Sequence, residues 1–328
     1  QGKSERTREA YERVLTDFRE YLATRELTIA DANHRDCMAY VHQLRGSVAE
    51  STVATYASYL HRFYDYMARV GTFEDNPMAL VLEEIDESIT KDPARRDISI
   101  PQMRSFLRDV SHPLERAVIV TLLKTGIRAG ELCNLDRRDI SIQDCPDDSQ
   151  LRAQLDGRPN SLYVDSTPTR GEMYNNERRT ASNKRKRATT IPVDAELAWT
   201  LRRWLAIRPD PISSANPLFV STSGEWGKRL TPDMVHHIVE THARSVGWYR
   251  DGGGPEENVT PHYFRHFFTT HLRDRTGDRG IVKYLRGDVA QDVIDTYTHD
   301  WGNRVRDVYD ANVYSLLSGG DSTAITHR

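Results

Sequence analysis

The chain has 328 residues, a charged fraction of 28% and a formal net charge of −3. This length suffices for two domains, no apolar run approaches the roughly 20 residues that cross a bilayer, and no signal-peptide pattern is present. Cys37, Cys133 and Cys145 are far apart and include no C-x-x-C pair. Their spacing argues against a disulfide framework or a zinc site and predicts reduced thiols in a cytoplasmic protein.

Positive charge is concentrated in one segment, although the chain as a whole is slightly acidic. Residues Arg178–Arg187 read R-R-T-A-S-N-K-R-K-R, whereas Asp144–Asp148 and Asp251–Glu257 carry acidic clusters. A local basic patch can bind phosphate whatever the net charge of the chain. The composition therefore permits nucleic-acid binding without requiring it.

The first 85 residues predict a helical domain. Apolar side chains recur at helical spacing in four segments, and no alternating strand pattern interrupts them. The predicted helices are Ser4–Arg25, Arg35–Leu44, Glu50–Val70 and Met78–Ile85. The third helix exposes Thr52, Thr55 and Arg62, which could contact a DNA backbone, although a solvated polar face is the commoner explanation.

A linker and a second domain follow, and the predicted fold class is mainly α with a small antiparallel β-sheet. Asp86–Asp97 contains a proline and no periodic apolar residues, which is typical of an interdomain linker. Residues 98–318 form the second domain, and residues 319–328 are expected to be a flexible tail. The predicted helices are Ile100–Val110, Leu114–Thr125, Glu131–Leu135, Ala195–Ile207, Pro232–Gly247, Pro261–Asp274, Arg279–Leu285, Val289–Tyr297 and Asn303–Leu317. The predicted strands are Asp139–Ile142 and Ser161–Asp165, with a hairpin of Glu172–Thr180 and Ala188–Val193 around the turn Ser182–Arg187.

The segment Thr125–Leu132, which reads T-G-I-R-A-G-E-L, offers an arginine suited to an anion. Gly126 permits a left-handed helix end, so Arg128 emerges from a rigid junction. Glu131 can orient this guanidinium, which is how an arginine is held ready for a phosphate. A purely structural ion pair is the alternative explanation for the arginine and the glutamate.

A helix that starts at Thr260-Pro261 carries a second set of candidate residues. Threonine can cap the helix, and proline is tolerated in its first turn. His262, Arg265 and His266 lie at i, i+3 and i+4 and share one face, while the aromatic residues between them are expected to be buried. Imidazole and guanidinium groups together suit a bound oxyanion. We predict no metal, because the helix lacks the glutamate of H-E-x-x-H and no third ligand is spaced for it.

Lysines in the basic segment and a tyrosine near the C-terminus complete a chemically sensible set. Tyr297 could attack a phosphorus atom to give a covalent phosphotyrosine, Lys184 or Lys186 could protonate the departing 5′ oxygen, and a histidine could assist proton movement. Fixed cations would supply the electrostatic stabilisation, so no cofactor is predicted. Tyr309 and Tyr314 are rival tyrosines, but they fit a later amphipathic helix as packing residues.

The order of these motifs resembles the tyrosine recombinase (phage integrase, Xer-like) family. T-G-I-R-A-G-E-L, the basic segment before Ile191-Pro192, H-Y-F-R-H and the late tyrosine follow one another as they do in that family. The N-terminal S-T-V-A-T-Y-A-S-Y-L-H-R-F-Y-D-Y is similar to its SAM-like core-binding domain. The resemblance implies that Arg128 and Arg265 clamp the scissile phosphate, that His262 assists catalysis and that Tyr297 is the nucleophile.

The resemblance also implies a reaction and its partners. The reaction is site-specific cleavage and rejoining of duplex DNA through a 3′-phosphotyrosyl intermediate, serving integration or excision of a mobile element or virus. The enzyme is expected to be a homotetramer on synapsed recombination sites, a monomer or weak oligomer without DNA, and nucleoid-associated in a prokaryotic cytoplasm. The contexts L-R-G-D and T-Y-T-H look like archaeal and archaeal-virus members. Val305, Val308, Val313 and Leu316 are suited to docking on a neighbouring protomer.

One departure from the family pattern lies nine residues before the tyrosine, where the family usually has histidine or tryptophan. Here that residue is Asp288, and an ionised carboxylate cannot donate a hydrogen bond to phosphate. We therefore expect Asp288 to orient Arg265 or His262. In that case His266 or Arg286 would supply the donor that the family residue normally provides.

The other departure lies in the basic segment. Family members commonly carry K-x-R-x-V-P, whereas here the spacing is stretched and Thr189 stands where arginine is usual. Lys184 is the preferred general acid and Lys186 the alternative. Arg185 and Arg187 are expected to contact DNA, with a solvated charged loop as the alternative explanation of the whole segment.

Three other functions remain consistent with the sequence. Xer-type chromosome-dimer resolution and relaxation of supercoils by a type IB topoisomerase-like enzyme share the same chemistry. A non-catalytic DNA-binding relative is conceivable because of Asp288. The domain layout favours a recombinase that holds duplex DNA between two domains.

Overall fold

The computed structural model describes residues 5–87, 94–143, 145, 150–288 and 301–317. The chain divides into two compact units, Gln1–Pro93 and Ala94–Arg328. Helices predominate and the described strands form two small antiparallel sheets, so the predicted fold class is confirmed. Within these ranges, no helix has both the length and the apolar character needed to span a membrane.

The first unit consists of four packed helices. They are α1 (Glu5–Ala23), α2 (His34–Leu44), α3 (Glu50–Arg69) and α4 (Met78–Glu84). A capping box starts α2, because the Asn33 side chain accepts the N–H of Asp36 while the Asp36 carboxylate accepts the N–H of Asn33. The apolar faces of the first three helices meet around the buried rings of Phe18, Tyr40 and Tyr64. All four predicted helices are confirmed, with ends that differ by at most two residues.

The described helices of the second unit surround one central helix. They are α5 (Ile100–Arg108), α6 (Pro113–Thr125), α7 (Ala129–Cys133), α8 (Ala195–Ile207), α9 (Pro232–Ser245), α10 (Pro261–Thr276), α11 (Arg279–Arg286) and α12 (Trp301–Asn312). The central helix α6 packs against both α8 and α10 and is buried along most of its length. It is therefore apolar on nearly every side instead of along one stripe. The predicted helix Val289–Tyr297 and the predicted tail lie outside the described residues.

The strands pair differently from the prediction. β1 (Ile140–Ser141), β2 (Ser161–Val164) and β5 (Thr189–Pro192) form an antiparallel sheet with β2 in the centre. β3 (Met173–Tyr174) and β4 (Glu177–Arg178) form a separate hairpin. The predicted hairpin between Glu172–Thr180 and Ala188–Val193 is therefore wrong. The first of these segments folds back on itself at Asn175-Asn176, where both residues have positive φ as a type I′ turn requires.

The C-terminal segment is anchored to its own chain. The predicted helix Asn303–Leu317 ends early, at Asn312, and residues 313–317 continue without helical structure. The buried amine of Lys124 in α6 donates to the carbonyl of Tyr314 at 2.6 Å and pairs with Glu196 at 2.7 Å. The carboxylate of Glu196 in turn accepts the backbone N–H groups of the two residues that follow Ser315. Residues 313–317 are therefore held by a buried ion pair and its hydrogen bonds, and not by a further turn of helix.

The apolar residues of this segment are covered by the core of the second unit. Val305 and Leu316 are almost fully buried, and Val308 and Val313 pack against the same core. Val305 and Leu316 are therefore covered by their own chain, whereas Val308 and Val313 are only partly buried and their docking on a neighbouring protomer stays a prediction.

Gly126 is the position where backbone conformation matters most for the site. It ends α6 in the left-handed conformation, with φ of 63° and ψ of 17°. A Cβ at this position would lie 2.3 Å from the ring of Phe268 in α10. Gly277 ends α10 at a similar φ of 66°, but a Cβ there would have no neighbour within 4 Å in the described structure.

These two glycines give a matched prediction for stability. Gly126→Ala is expected to lower the free energy of unfolding by about 3 kcal/mol, because the left-handed conformation costs about 1–2 kcal/mol and overpacking adds about 1–3 kcal/mol. Gly277→Ala should cost only about 1 kcal/mol, since it carries the first penalty alone. Urea unfolding of both variants measures the difference. Equal losses would show that the Phe268 contact relaxes without cost.

Candidate active site

Arg128 lies at the start of α7, directly after the turn at Gly126. Its backbone N–H donates to Oε2 of Glu131 at 2.9 Å, and its Nη1 donates to Oε1 at 3.0 Å. Glu131 is fully buried, so its carboxylate must be paired and is committed to its arginine partners. These contacts agree with the expectation that Glu131 orients Arg128.

Arg265 reaches the same place from α10, and its side chain is almost fully buried. Its Nη1 donates to the carbonyl of Gly126 at 2.7 Å, and its Nη2 donates to the carbonyl of Arg286 at 3.1 Å. Burial and the nearby charge of Arg128 lower the pKa of Arg265 to about 10. Gly126 therefore helps to place both arginines. Its left-handed turn directs the chain towards Arg128, and its carbonyl accepts a hydrogen bond from Arg265.

The carboxylate of Asp288 joins the two arginines. It accepts Nη2 of Arg265 at 2.9 and 3.0 Å and Nη2 of Arg128 at 3.1 Å, and Nη2 of Arg286 lies 2.9 Å away. Burial raises the pKa of Asp288, but the charges of the three arginines outweigh burial and hold this pKa below its ordinary value. Asp288 is therefore ionised at neutral pH and reduces the repulsion between the guanidinium groups.

Arg286 is the better placed of the two predicted substitutes for the missing donor. Its guanidinium reaches the same carboxylate as Arg128 and Arg265, whereas Nδ1 of His266 lies 3.4 Å from Nη1 of Arg95. In the described part of the chain, the buried Nε–H groups of Arg265 and Arg286 have no hydrogen-bond partner. Such donors cost about 1–3 kcal/mol each when unsatisfied.

His262 lies one turn before Arg265 on α10, and its side chain is exposed to solvent. Desolvation by the surrounding protein and the positive charges of Arg95, Arg265, Arg128 and Arg286 lower the pKa of its imidazole below the ordinary value of 6.5. The arginines alone give this direction, because they oppose a further positive charge whatever the degree of burial. His262 is therefore neutral at pH 7 and able to accept a proton.

The basic segment brings its lysines to the same region through the backbone. Lys184 and Lys186 are both exposed, and the N–H of Lys186 donates to the carbonyl of Gly287, next to Asp288, at 3.0 Å. The structure gives no reason to prefer one lysine to the other as general acid.

The two arginines of this segment differ in environment. Arg187 is half-buried, with its guanidinium carbon 5.6 Å from the centre of the Tyr284 ring. Arg185 is buried and donates to Glu131 and to the carbonyl of Leu285. These protein acceptors occupy the guanidinium of Arg185, whereas its predicted contact with DNA stays a prediction.

The remaining predicted residues are placed as follows. Tyr297 lies outside the described residues. Tyr309 and Tyr314 are buried and donate to the carbonyls of Lys124 and Leu123, which confirms them as packing residues.

The predicted DNA contacts of the first unit lie on the surface of α3. Arg62 is exposed and Thr52 and Thr55 are partly exposed, while the hydroxyl of Thr55 donates to the carbonyl of Ser51 at 2.7 Å. All three are accessible from one side of the helix, as the prediction requires, because their spacing of three and seven residues returns to the same face.

Two known families match this chain. The N-terminal SAM-like domain of phage integrases matches residues 1–71, and the phage integrase family matches residues 170–303. Together the matches cover more than half of the chain. The chain belongs to the phage integrase family. It is thus a tyrosine recombinase, an enzyme of site-specific DNA strand cleavage and rejoining, and the second match includes Arg265, Asp288 and Tyr297.

Similarity to individual integrase-family proteins extends over nearly the whole chain. Tyrosine recombinase XerC of Pelotomaculum thermopropionicum is 26% identical, covering 93% of this chain and 91% of that protein. The Tn1549 transposon integrase in complex with circular intermediate DNA has a TM-score of 0.65 at 17% identity, covering 93% of each chain. A lambda integrase tetramer bound to a Holliday junction has a TM-score of 0.61 at 15% identity, covering 92% of this chain and 76% of that one. The two solved structures show that the fold is shared.

Proposed function

We propose that this recombinase integrates or excises a mobile DNA element through a covalent bond between Tyr297 and a 3′ phosphate. The observation that supports this proposal most is the convergence of Arg128 and Arg265, from distant parts of the chain, on one carboxylate. Two guanidiniums held 2.9–3.1 Å from the same anion are arranged to hold the two non-bridging oxygens of a phosphodiester.

The proposed reaction uses the residues of the site in a balanced sequence. The hydroxyl oxygen of Tyr297 bonds to phosphorus, the bond from phosphorus to the 5′ oxygen breaks, and the tyrosine proton passes to neutral His262. Lys184 or Lys186 gives a proton to the departing 5′ oxygen. Arg128 and Arg265 neutralise the charge that builds on the non-bridging oxygens. Rejoining reverses these steps with a 5′ hydroxyl from the partner strand.

The charge balance of the site suits this reaction. Four guanidiniums, from Arg128, Arg185, Arg265 and Arg286, surround two carboxylates, from Glu131 and Asp288. Two positive charges remain over this group. A phosphodiester carries one negative charge and gains more as the nucleophile attacks, so the site attracts the transition state more strongly than the ground state.

We also propose the partners and setting of the enzyme. Duplex DNA is the substrate, with Thr52, Thr55 and Arg62 of the first unit and Arg187 of the second contacting its backbone. The lambda integrase neighbour is a tetramer on a Holliday junction, which supports a tetramer on synapsed sites for this chain as well. The reaction would take place on DNA in the cytoplasm of a prokaryote.

Chromosome-dimer resolution is the second candidate function. It is favoured by the name of the XerC relative, whose similarity extends over 93% of this chain, whereas the transposon and phage integrases among the structural neighbours favour integration. The two functions share one chemistry and differ in the location of the target site. A target at the end of a mobile element supports integration, and a chromosomal target away from any mobile element supports dimer resolution.

Covalent capture tests the proposed function. Sheared genomic DNA from the organism that encodes the chain is incubated with wild type and with Tyr297→Phe, and protein-bound fragments are isolated under denaturing conditions and sequenced. We expect adducts with one shared sequence for wild type and none for the variant. A nicked duplex of that sequence, which traps the adduct, then becomes the substrate for kinetics. Absence of any wild-type adduct would refute the proposal, and relaxation of plasmids without sequence preference would point to a topoisomerase.

The lowered pKa of His262 predicts an acid limb in the pH profile of cleavage. Protonated imidazole cannot accept the tyrosine proton, so the rate should fall as pH drops through a value below the ordinary 6.5. His262→Gln should be slower by about 10²-fold and lack this limb. Single-turnover rates between about pH 5 and 8 measure both effects. His236→Gln, on the surface of α9, is the control, and an unchanged limb in the His262 variant would contradict the assignment.

A further inference from the structure

Arg185 is a member of the basic segment to which the proposed reaction assigns no chemical step. Its side chain is fully buried, whereas its neighbours Lys184 and Lys186 are both exposed. This alternation is typical of extended backbone, in which successive side chains point to opposite faces. The stretch Lys184–Lys186 therefore inserts its central arginine into the protein and directs a lysine outward on either side of it.

The buried guanidinium joins three separate parts of the fold. It donates to the hydroxyl of Thr189 at the start of β5, to the carbonyl of Leu285 near the end of α11 at 3.3 Å, and to Oε2 of Glu131 in α7 at 3.3 Å. A Cβ on Gly287 would lie 2.3 Å from Cγ of Arg185, so the absence of a side chain at position 287 makes room for this arginine. These contacts enclose the guanidinium on several sides.

Glu131 is shared between two arginines. Its Oε2 accepts both the backbone N–H of Arg128 and the guanidinium of Arg185, and its Oε1 accepts Nη1 of Arg128. Because the carboxylate is fully buried, each of its partners restricts the direction in which it points. Removal of Arg185 would leave one arginine to hold a buried anion that now has room to rotate.

We infer that Arg185 is a positioning residue of the recombinase: it orients Arg128 through Glu131 and holds the lysine-bearing segment against the end of α11. The inference rests on the proposed function, because the residue that it positions is assigned to the scissile phosphate. Arg185 itself touches neither DNA nor the reacting atoms. The family pattern has an arginine at the position of Thr189. Arg185, four residues earlier in the chain, reaches that position and donates to the Thr189 hydroxyl.

The experiment separates DNA affinity from the rate of cleavage. Arg185→Ala, Arg185→Lys and the double variant Arg185→Ala/Thr189→Arg are compared with wild type on the nicked duplex recovered by covalent capture. The dissociation constant is measured by fluorescence anisotropy, and the single-turnover rate is measured at saturating DNA. Two controls are Arg244→Ala, which removes an exposed ion-paired arginine, and Arg229→Ala, which removes a buried arginine paired with Asp136 and Glu177.

We expect Arg185→Ala to bind the duplex with an affinity within about threefold of wild type and to cleave it about 10²-fold more slowly, since small misplacements of a catalytic group have effects of this size. Arg185→Lys keeps the charge but not the forked contacts and should be about tenfold slower. The double variant should recover most of the lost rate. Arg229→Ala should lose stability without a comparable loss of rate when assayed below its unfolding temperature.

Each alternative gives a different result. Weaker binding with an unchanged rate at saturation would make Arg185 a DNA contact and overturn the inference. Equal rate losses in the Arg185→Ala and Arg229→Ala variants would show that the slower cleavage reflects lost stability and not the positioning of Arg128. If Arg185→Ala does not fold, the lysine and double variants decide between the same results. Absence of an adduct with wild type would refute the proposed function, whereas normal cleavage by both wild type and Arg185→Ala would refute only this inference.

Discussion

Arg265→Ala is expected to reduce DNA cleavage by at least about 10³-fold, the upper end of the loss seen when one preorganised donor is removed from an oxyanion site. Arg265 does more than one task in the structure. It donates to the carbonyls of Gly126 and Arg286 and to both oxygens of Asp288. Its loss therefore removes a proposed phosphate ligand and also leaves three acceptors of the site without their shared donor.

Arg265→Lys separates the charge of this residue from its geometry. A lysine amine is a compact charge with three donors and cannot span the carbonyls of Gly126 and Arg286 as the planar guanidinium does. We expect cleavage by this variant to be about 10²-fold slower than by wild type, with DNA affinity little changed because many phosphate contacts contribute to binding.

Single-turnover cleavage at saturating DNA measures both Arg265 variants. Arg273→Ala is the matched control, because Arg273 lies on the same helix, is exposed and is paired only with Asp274 in the described contacts. A rate within tenfold of wild type for Arg265→Ala would show that the phosphate is held elsewhere. Equal rates for the lysine variant and wild type would show that charge alone suffices.

The helices and the arginine pair could be predicted because their signals are local in the sequence. Periodic apolar residues define each helix, and the glycine that ends α6 predicts the junction from which Arg128 emerges. The contact of Glu131 with Arg128 follows from a spacing of three residues at a helix start. The structure agrees with these expectations because packing and local preference favour the same conformation.

The errors arose where long-range pairing decides the outcome. Residues of β5 could pair with Glu172–Thr180, as predicted, or with β2, and only the register of the whole sheet selects β2. Arg185 looks like a surface charge in a run of basic residues, and nothing local predicts the buried Glu131 that receives it. The end of α12 is set by the distant Lys124 and Glu196, which hold the segment after Asn312.

Asp288→Asn is expected to slow cleavage by about 10²-fold, the loss that follows when catalytic groups are misplaced by about 1 Å. It should also lower the free energy of unfolding, because removing one partner of a buried pair costs about 3–5 kcal/mol, and the partial exposure of Asp288 places this pair towards the lower end of that range. The asparagine keeps the shape of the side chain and can still accept a hydrogen bond. It cannot offset the repulsion between Arg128 and Arg265, which converge on this one residue.

Two further substitutions at position 288 distinguish charge from hydrogen-bond donation. Asp288→Glu keeps the negative charge on a longer side chain and should remain within about tenfold of wild type if the pair can adjust. Asp288→His introduces the donor that the family pattern has at this position but removes the charge, so we expect it to be as slow as the asparagine variant. Cleavage by Asp288→His at or above the wild-type rate would show that donation to phosphate outweighs orientation of the arginines.

Stability as a function of pH tests Asp288 without any DNA. Because its pKa in the folded protein lies below the ordinary 3.8, the ionised carboxylate contributes stability that is fully present above that value and is lost as pH falls through the lowered pKa. The deficit of Asp288→Asn in free energy of unfolding should therefore be constant near neutral pH and should shrink in acid below 3.8. A fully active Asp288→Asn variant with no deficit at neutral pH would remove any need for the negative charge. In that case the Glu131 carboxylate would be enough to hold Arg128, and the carbonyls of Gly126 and Arg286 would be enough to hold Arg265.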